Sequence, residues 1–329
     1  MGTTDESEGS LDTELFTRVV RRALPDATVE TVGPAGPTWN WTTEVARVTF
    51  TDRDPVYCKA TPGDPDGAEL RAEAGVLEYV GLNLPVTVPS VVGTTAEPAA
   101  LLTEPAAGTA VADEWFETTP DRRVTLAERL GRTLATVHTE RFDRPGEITG
   151  GDADELAVDH TPWPDVLRAA VVENRRLAPT DRFDSEYARL LEAIDAARER
   201  LTDPPARLLH CDPATPNCFD TGDDRLTLLD WGNSVVGDPV RDLTRAREQA
   251  LAPLREPAPE RLVDALRRGY RAVAGELPES AERGAVYDAT IQLSTADYVE
   301  RFAEWREESE AELTAWFREE LDRRLSRIE

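Results

Sequence analysis

A run of polar side chains between residues 210 and 230 carries the groups expected at a site of phosphoryl transfer. His210, Asp212 and Asn217 are spaced H-x-D-x-x-x-x-N, so one loop can offer a carboxylate to a substrate hydroxyl and an amide oxygen to a metal. Asp230 follows an apolar, strand-like run and opens the sequence D-W-G. We therefore expect Asp230 to lie at the end of a strand, as a second metal ligand.

Three motifs in this order resemble the aminoglycoside phosphotransferase family of kinase-like enzymes. The family signature runs H-G-D-x-x-x-x-N, then D-[WF]-x, then G-D-P-x-x-D-L, and this chain has H-C-D-P-A-T-P-N, D-W-G and G-D-P-V-R-D-L. The chain departs from the signature at Cys211, where the family usually has glycine. The departure matters little if residue 211 only supplies a turn, whereas a side chain would crowd the loop if the site needs close backbone approach. A polar hairpin of a globular protein is the alternative interpretation.

The resemblance implies an α+β, bilobal protein-kinase-like fold. Its small β-rich N-terminal lobe would span residues 1–104, and its larger, mainly α-helical lobe residues 105–329. The implied activity is ATP- and Mg²⁺-dependent transfer of the γ-phosphoryl group to a hydroxyl of a small-molecule acceptor, either a metabolite or an antibiotic-like compound.

The resemblance gives the polar residues of the first two motifs roles in that reaction. Asp212 would accept or orient the acceptor proton, and Asn217 and Asp230 would ligate Mg²⁺ through oxygen atoms, which suit this hard ion. We group His210 with Asp212 as catalytic, and we expect His210 to brace the loop through hydrogen bonds.

Lys59 is the candidate phosphate ligand of the N-terminal part. The run P-V-Y-C-K-A reads as a strand, whose alternation puts Val56 and Cys58 on one face and Tyr57 and Lys59 on the other. Lys59 is the only lysine among 37 basic residues. A compact ammonium contacts phosphate oxygens in a geometry that a planar guanidinium does not reproduce. Chance survival of a surface lysine is the alternative.

Four more residues are assigned to nucleotide binding by the resemblance. Glu73 would pair with Lys59 as the glutamate of the family's E-x-x-x-L helix does, although by itself it reads as a solvated helix residue. A glycine- and proline-rich loop that ends at Asn40 would lie over the phosphates, with an ordinary hairpin as the alternative. The backbone from Leu102 to Glu104 would face adenine where a short apolar strand links the lobes.

Spacing after the D-W-G motif favours a small acceptor over a protein substrate. Seven residues separate Asp230 from Asp238 and no A-P-E follows, so a peptide-docking loop has no place. Asp238 and Asp242 flank Pro239 at a helix start, where carboxylates can cap backbone N–H groups. A nucleotide-binding pseudokinase, or an interaction module without transfer activity, is the alternative function.

Apolar residues at helical spacing predict an α-rich second half of the chain. His138 ends one apolar stripe and reads as a core histidine, whereas His160 lies in a turn-rich region without a visible partner. The predicted helices follow residue 124 and then cover residues 163–177, 187–201, 241–251, 260–273 and much of 281–328.

The composition is strongly acidic. With 64 acidic and 37 basic residues, the chain has a formal net charge of −27. Such mutual repulsion is screened only near molar salt, where the Debye length is about 3 Å, which favours a brine-adapted, haloarchaeal-type member of the family. The same charge argues against nucleic acid and anionic membranes as partners.

The three cysteines and the N-terminal sequence indicate the cellular compartment in which the protein resides. Cys58, Cys211 and Cys218 are odd in number and lack C-x-x-C spacing, so neither a disulfide framework nor a zinc site is predicted. The acidic start does not resemble a signal peptide, and the longest uncharged run is broken by prolines and a glycine. We therefore expect a reduced, cytoplasmic protein, and the sequence leaves its oligomeric state open.

Overall fold

The computed structural model describes residues 11–36, 43–61 and 67–328. Its N-terminal lobe is built on an antiparallel five-stranded sheet in the order β1-β2-β3-β5-β4. One helix, α1, covers one face of the sheet, and a second, α2, packs against β4 and β5. These elements are β1 (Val29–Pro34), β2 (Glu44–Phe50), β3 (Val56–Ala60), β4 (Val91–Ala96), β5 (Ala99–Thr103), α1 (Thr13–Ala23) and α2 (Ala68–Asn83).

Alternation along β3 sorts its side chains between the two faces. Val56, Cys58 and Ala60 are buried in the cluster that contains the apolar stripe of α1. Lys59 pairs in register with Leu101 of β5 and points to the opposite face, where α2 lies. A buried strand face under an amphipathic helix thus fixes the direction of the Lys59 side chain.

The C-terminal lobe is mainly helical. Its helices are α3 (Val111–Trp115), α4 (Pro120–Val137), α5 (Trp163–Leu177), α6 (Asp184–Ala196), α7 (Arg198–Leu201), α8 (Val240–Arg245), α9 (Glu260–Ala274), α10 (Ala281–Ala296), α11 (Val299–Arg306) and α12 (Glu310–Leu325). A π-helical turn, Ala246–Leu251, continues α8. Helices α4 and α9 cross so closely that a Cβ at Gly131 would lie 2.0 Å from the Leu266 carbonyl oxygen. Only glycine permits that approach.

Two small sheets surround the polar motifs. The first has the order β11-β10-β6 and the second β8-β7-β12-β9. Their strands are β6 (Thr109–Ala110), β7 (Gly146–Gly151), β8 (Leu156–His160), β9 (Arg207–Leu209), β10 (Cys218–Asp220), β11 (Leu226–Leu228) and β12 (Val235–Gly237). The H-x-D loop therefore follows β9, and the D-W-G motif connects β11 to β12.

The predicted α+β, bilobal kinase-like fold is confirmed. The acidic region after residue 281 divides into three helices rather than one long one. The hairpin of β7 and β8 is not apparent in the sequence, since β7 reads G-E-I-T-G-G and glycine disfavours strands. That hairpin is held by α2, because a Cβ at Gly75 would lie 2.8 Å from the Gly151 carbonyl oxygen. Within the described ranges, no helix is long and apolar enough to cross a membrane.

Candidate active site

Asp242 of α8 holds the loop that follows β9. Its Oδ2 accepts the backbone N–H of His210 at 2.8 Å, and its Oδ1 accepts that of Cys211 at 2.9 Å. His138 Nε2 lies 3.2 Å from the same carboxylate, which is fully buried. Burial raises the pKa of Asp242, but the hydrogen bonds with His138 and with the His210 backbone N–H outweigh burial and lower it below its ordinary value. Asp242 is thus an anionic anchor of the loop rather than the helix cap that we predicted.

Asp238 fastens the start of α8 to α10. Its Oδ1 accepts the Val240 backbone N–H at 3.1 Å, as expected of a residue that caps a helix start. Its Oδ2 accepts hydrogen bonds from Arg283 Nε at 2.6 Å and from the Tyr287 hydroxyl at 2.8 Å. The position of α8, and hence of Asp242, therefore depends on α10.

His210 joins the two polar motifs from inside the protein. Its Nδ1 accepts the Asp212 backbone N–H at 3.2 Å, so the proton lies on Nε2, which donates to the Leu229 carbonyl oxygen at 2.8 Å. The ring meets Trp231 edge to face with centroids 4.6 Å apart, and burial lowers the pKa of His210. His210 is fully buried and neutral, so it positions the loop and does not reach the cleft.

Cys211 adopts the left-handed backbone conformation that glycine adopts most readily. Its φ is +67°, a region that costs a non-glycine residue about 1–2 kcal/mol. The hydrogen bond to Asp242 holds this backbone in place, and the side chain packs into the core of the C-terminal lobe. Burial raises the pKa of the Cys211 thiol to about 12, so it is uncharged near neutral pH. The crowding expected at this position is avoided, because the thiol points into the core.

Asp212 and Asn217 face each other at the mouth of the loop. Asn217 Nδ2 donates to the Asp212 backbone oxygen at 3.0 Å and to its Oδ2 at 3.1 Å. With its nitrogen directed at two oxygens, the Asn217 amide presents its own oxygen elsewhere, available to a cation. Asp212 Oδ1 accepts hydrogen bonds from Arg245, a residue that the sequence analysis did not single out.

Lys59 connects the two lobes. Its Nζ lies 2.8 Å from Glu73 Oε2 of α2 and 2.7 Å from Asp230 Oδ1. Burial alone lowers the pKa of Lys59, but the charges of Asp230 and Glu73 outweigh it and raise the pKa above its ordinary value. A Cβ at Gly232 would lie 3.2 Å from Glu73 Oε2 and 3.5 Å from Lys59 Nζ, which explains the small residue in D-W-G. The structure thus brings Lys59, Glu73 and Asp230 into direct contact.

The structure gives less information about the other three residues assigned to nucleotide binding. Asn40 lies outside the described residues. The Leu102 side chain is fully buried with α1, and within the sheet Leu102 pairs in register with Cys58 of β3 and Gly93 of β4. Glu104 is exposed, and its N–H donates to the Ser90 carbonyl oxygen at 2.9 Å. The assignments of Asn40, Leu102 and Glu104 to nucleotide binding stay predictions.

The donor atoms at the end of β11 fit a hard cation. Asp230 is 41% exposed at its side chain, and its Oδ1 is the atom that Lys59 holds. Together with the Asn217 amide oxygen it offers oxygen ligands, which Mg²⁺ prefers. In the part of the chain that the structure describes, no three His, Cys, Asp or Glu side chains cluster as a metal site. Magnesium held here would complete its coordination with phosphate oxygens and water, its usual arrangement with nucleotides.

Comparison with solved structures identifies proteins of the same fold. Solved structures with the same fold include a candidate fructosamine-3-kinase from Thermobifida fusca, with 21% identity, 97% of this chain and 99% of that chain covered, and a TM-score of 0.56. Choline kinase LicA from Streptococcus pneumoniae has 14% identity, 95% and 98% coverage and a TM-score of 0.59. Aminoglycoside phosphotransferase APH(4)-Ia has 14% identity, 95% and 97% coverage and a TM-score of 0.60.

Sequence comparison gives the family directly. No curated protein sequence is matched significantly. The family model described as the phosphotransferase enzyme family, APH, matches residues 36–284. That match includes Lys59, Glu73, the H-x-D loop and the D-W-G motif, and it confirms the prediction of a phosphotransferase enzyme. The chain belongs to the APH phosphotransferase enzyme family.

Proposed function

We propose that the protein is an ATP- and Mg²⁺-dependent kinase that phosphorylates a hydroxyl group of a small molecule. The observation that carries the proposal is the contact of Lys59 with both Glu73 of α2 and Asp230 of the D-W-G motif, which joins the N-terminal sheet to the polar motifs. This is the arrangement that phosphoryl transfer needs, in which charge is neutralised at the phosphates and a carboxylate is available to the acceptor. The lobes would divide at residue 104, after β5.

Relatives of the same fold support the choice of a nucleotide. APH(4)-Ia has been solved in a ternary complex with ADP and hygromycin B, and LicA in complex with AMP. The segment between Asp230 and Asp238 forms one short turn and β12, which leaves no long loop for docking a peptide. Both observations favour a nucleotide in the cleft and a small acceptor beside it.

In the proposed reaction, the acceptor oxygen forms a bond to the γ-phosphorus while the bond from that phosphorus to the β,γ-bridging oxygen breaks. ADP leaves, and the hydroxyl proton passes to Asp212. Lys59, oriented by Glu73, would bind phosphate oxygens, and Asn217 and Asp230 would hold the metal. Bound Mg²⁺ supplies positive charge that offsets the charge of the phosphates. His210 and Asp242 keep the Asp212 backbone fixed throughout.

The free thiols fit a reducing compartment. Cys58, Cys211 and Cys218 are unbridged and buried. Disulfides are rare where thiols are kept reduced, and ATP is available in the same compartment. We therefore place the reaction in the cytoplasm.

Two substitutions test this function by separating transfer from nucleotide binding. Asp212→Asn should lower the rate of phosphoryl transfer by about 10²- to 10⁴-fold, because a positioned proton acceptor contributes that much. Its Mg-ATP affinity should stay unchanged, whereas Asp230→Ala should weaken it. Coupled ADP release with a panel of hydroxyl metabolites measures transfer, and calorimetry measures affinity. The control is Asp264→Asn, which removes a carboxylate from the exposed face of α9.

Transfer by Asp212→Asn within a few-fold of wild type would remove Asp212 from the role of proton acceptor. Unaltered Mg-ATP affinity in Asp230→Ala would contradict the metal assignment. Tight nucleotide binding by wild type without transfer to any acceptor would instead favour the pseudokinase.

A further inference from the structure

Two arginines of α8, Arg241 and Arg245, contact the loop that carries Cys211 and Asp212. Arg245 donates to Asp212 Oδ1 through Nη2 at 2.9 Å and Nε at 3.3 Å, and to Ser294 Oγ through Nη1 at 3.2 Å. Arg241 Nη1 lies 2.9 Å from Cys211 Sγ. Residues four apart lie on one face of a helix, one turn from each other. Both guanidinium groups therefore border the loop that carries Asp212.

The charge of Arg241 is not balanced by a contact. Its thiol partner is neutral, because burial raises the pKa of Cys211 to about 12. Within the described residues Arg241 forms no ion pair, whereas its neighbour Arg247 contacts both Glu248 and Asp288. Arg245 pairs with Asp212. The nearby Asp242 carboxylate, which holds the Cys211 N–H, is fully buried, whereas Arg241 and Arg245 are half-buried.

Both guanidinium groups retain hydrogen-bonding capacity. An arginine has five N–H donors, and the described contacts of Arg245 use three of them. The side chains of Asp212 and Arg245 are each 20% exposed, so the pair is partly open to solvent. Planar guanidinium groups with free N–H donors bind carboxylates and phosphates bidentately. A ligand oxyanion beside this loop would find free N–H donors on both guanidinium groups.

We propose that Arg241 and Arg245 bind an oxyanion of the acceptor, so that the acceptor is a hydroxyl compound with a carboxylate or phosphate group beside the reacting hydroxyl. This rests on the proposed function, because Asp212 places the hydroxyl. A cationic acceptor bound there would face these two guanidinium groups at contact distance. In strong salt the distant surface carboxylates are screened over about 3 Å, so direct contacts determine which acceptor binds.

The test compares four small probes with the same three-carbon skeleton: glycerol, glycerate, glycerol 3-phosphate and the cationic 3-aminopropane-1,2-diol. Their affinities for the enzyme with Mg-ADP bound are measured by calorimetry at one ionic strength. We expect glycerate or glycerol 3-phosphate to bind at least about tenfold more tightly than glycerol, the factor typical of a charge-assisted hydrogen bond. The better of the two identifies the anion as carboxylate or phosphate.

Variants assign the preference to these arginines. Arg241→Gln should remove about tenfold of the affinity for the anionic probe and leave the affinity for glycerol unchanged. The matched control is Arg267→Gln, which removes one positive charge from the exposed face of α9. Melting curves of both variants confirm that they are folded.

Two results would overturn the inference: equal or tighter binding of glycerol or of the cationic probe, or an anionic preference that survives in Arg241→Gln. The proposed function is judged separately by transfer to the hydroxyl panel. An anionic preference without any transfer would refute the kinase function and keep the anion site. Transfer with a cationic or neutral preference would support the kinase function and refute the anion site.

Discussion

Replacing Asp242 by asparagine should weaken the hydrogen bonds that hold the loop carrying His210, Cys211 and Asp212. The two oxygens of Asp242 accept the backbone N–H groups of His210 and Cys211 separately, at 2.8 and 2.9 Å. Asparagine has a single acceptor oxygen, so its NH₂ group would face one of these donors in a fully buried site. A lost charge-assisted hydrogen bond costs about 1.5–3 kcal/mol, and a buried unpaired donor adds about 1–3 kcal/mol.

We therefore expect Asp242→Asn to lower the free energy of unfolding by about 3–5 kcal/mol, a large part of the 5–15 kcal/mol typical of a native protein. Transfer should fall by about 10²-fold in the fraction that folds, because a displacement of Asp212 by about 1 Å has that effect. Since the pKa of Asp242 is lowered in the folded protein, its contribution is complete above the unfolded value, about 3.9. It is lost as the pH falls through the lower folded value.

Urea denaturation near neutral pH measures the change, and ADP release measures the activity. The control is Asp12→Asn: Asp12 caps α1 by accepting the Leu15 N–H at 2.9 Å at an exposed site, where asparagine caps equally well. Both variants change the net charge equally. A loss of less than about 1 kcal/mol with a normal rate would show that Asp242 does not hold the loop.

Three further outcomes are expected. Lys59→Arg should lose at least about tenfold in kcat/KM, roughly 1.4 kcal/mol, with an unchanged melting temperature, and equal activity would exclude Lys59 as phosphate ligand. Thermal stability should rise steeply from low to molar KCl, and a flat melting temperature would contradict brine adaptation. Burial raises the pKa of Asp297 to about 6, despite the Tyr187 hydrogen bond, so its ionisation lowers stability as the pH rises from about 4 to about 6. Asp297→Asn should be about 1–2 kcal/mol more stable than wild type above that range and similar near pH 4, allowing for partial exposure, and unfolding curves at both pH values test this.

The helices and the polar motifs could be predicted because their signals are local. Apolar residues at helical spacing within 163–177 and 260–273 define helices that the structure has at almost the same bounds. Alternation in β3 gave the direction of Lys59, since one face of that strand had to be buried. The spacing of Asp212 and Asn217 placed them on one loop. These features depend on residues only a few positions apart.

Contacts between distant segments could not be derived in this way. Nothing local distinguishes Glu73 from Glu69 or Glu78 on α2, and the resemblance to a family supplied that choice. The structure supports it, since Glu73 alone of the three is buried and meets Lys59. The structural role predicted for Asp242 holds, but the backbone N–H groups that it accepts belong to the loop after β9 rather than to its own helix.

Tertiary structure decided which groups surround Asp212. Arg241 and Arg245 look like ordinary members of a set of arginines in the sequence, and only the packing of α8 under the loop gives them a thiol and a carboxylate as partners. The sequence by itself determined which chemical groups lie on the loop and their order. The fold determined how those groups are charged, held and exposed, because burial and partners come from chain segments 30 or more residues away.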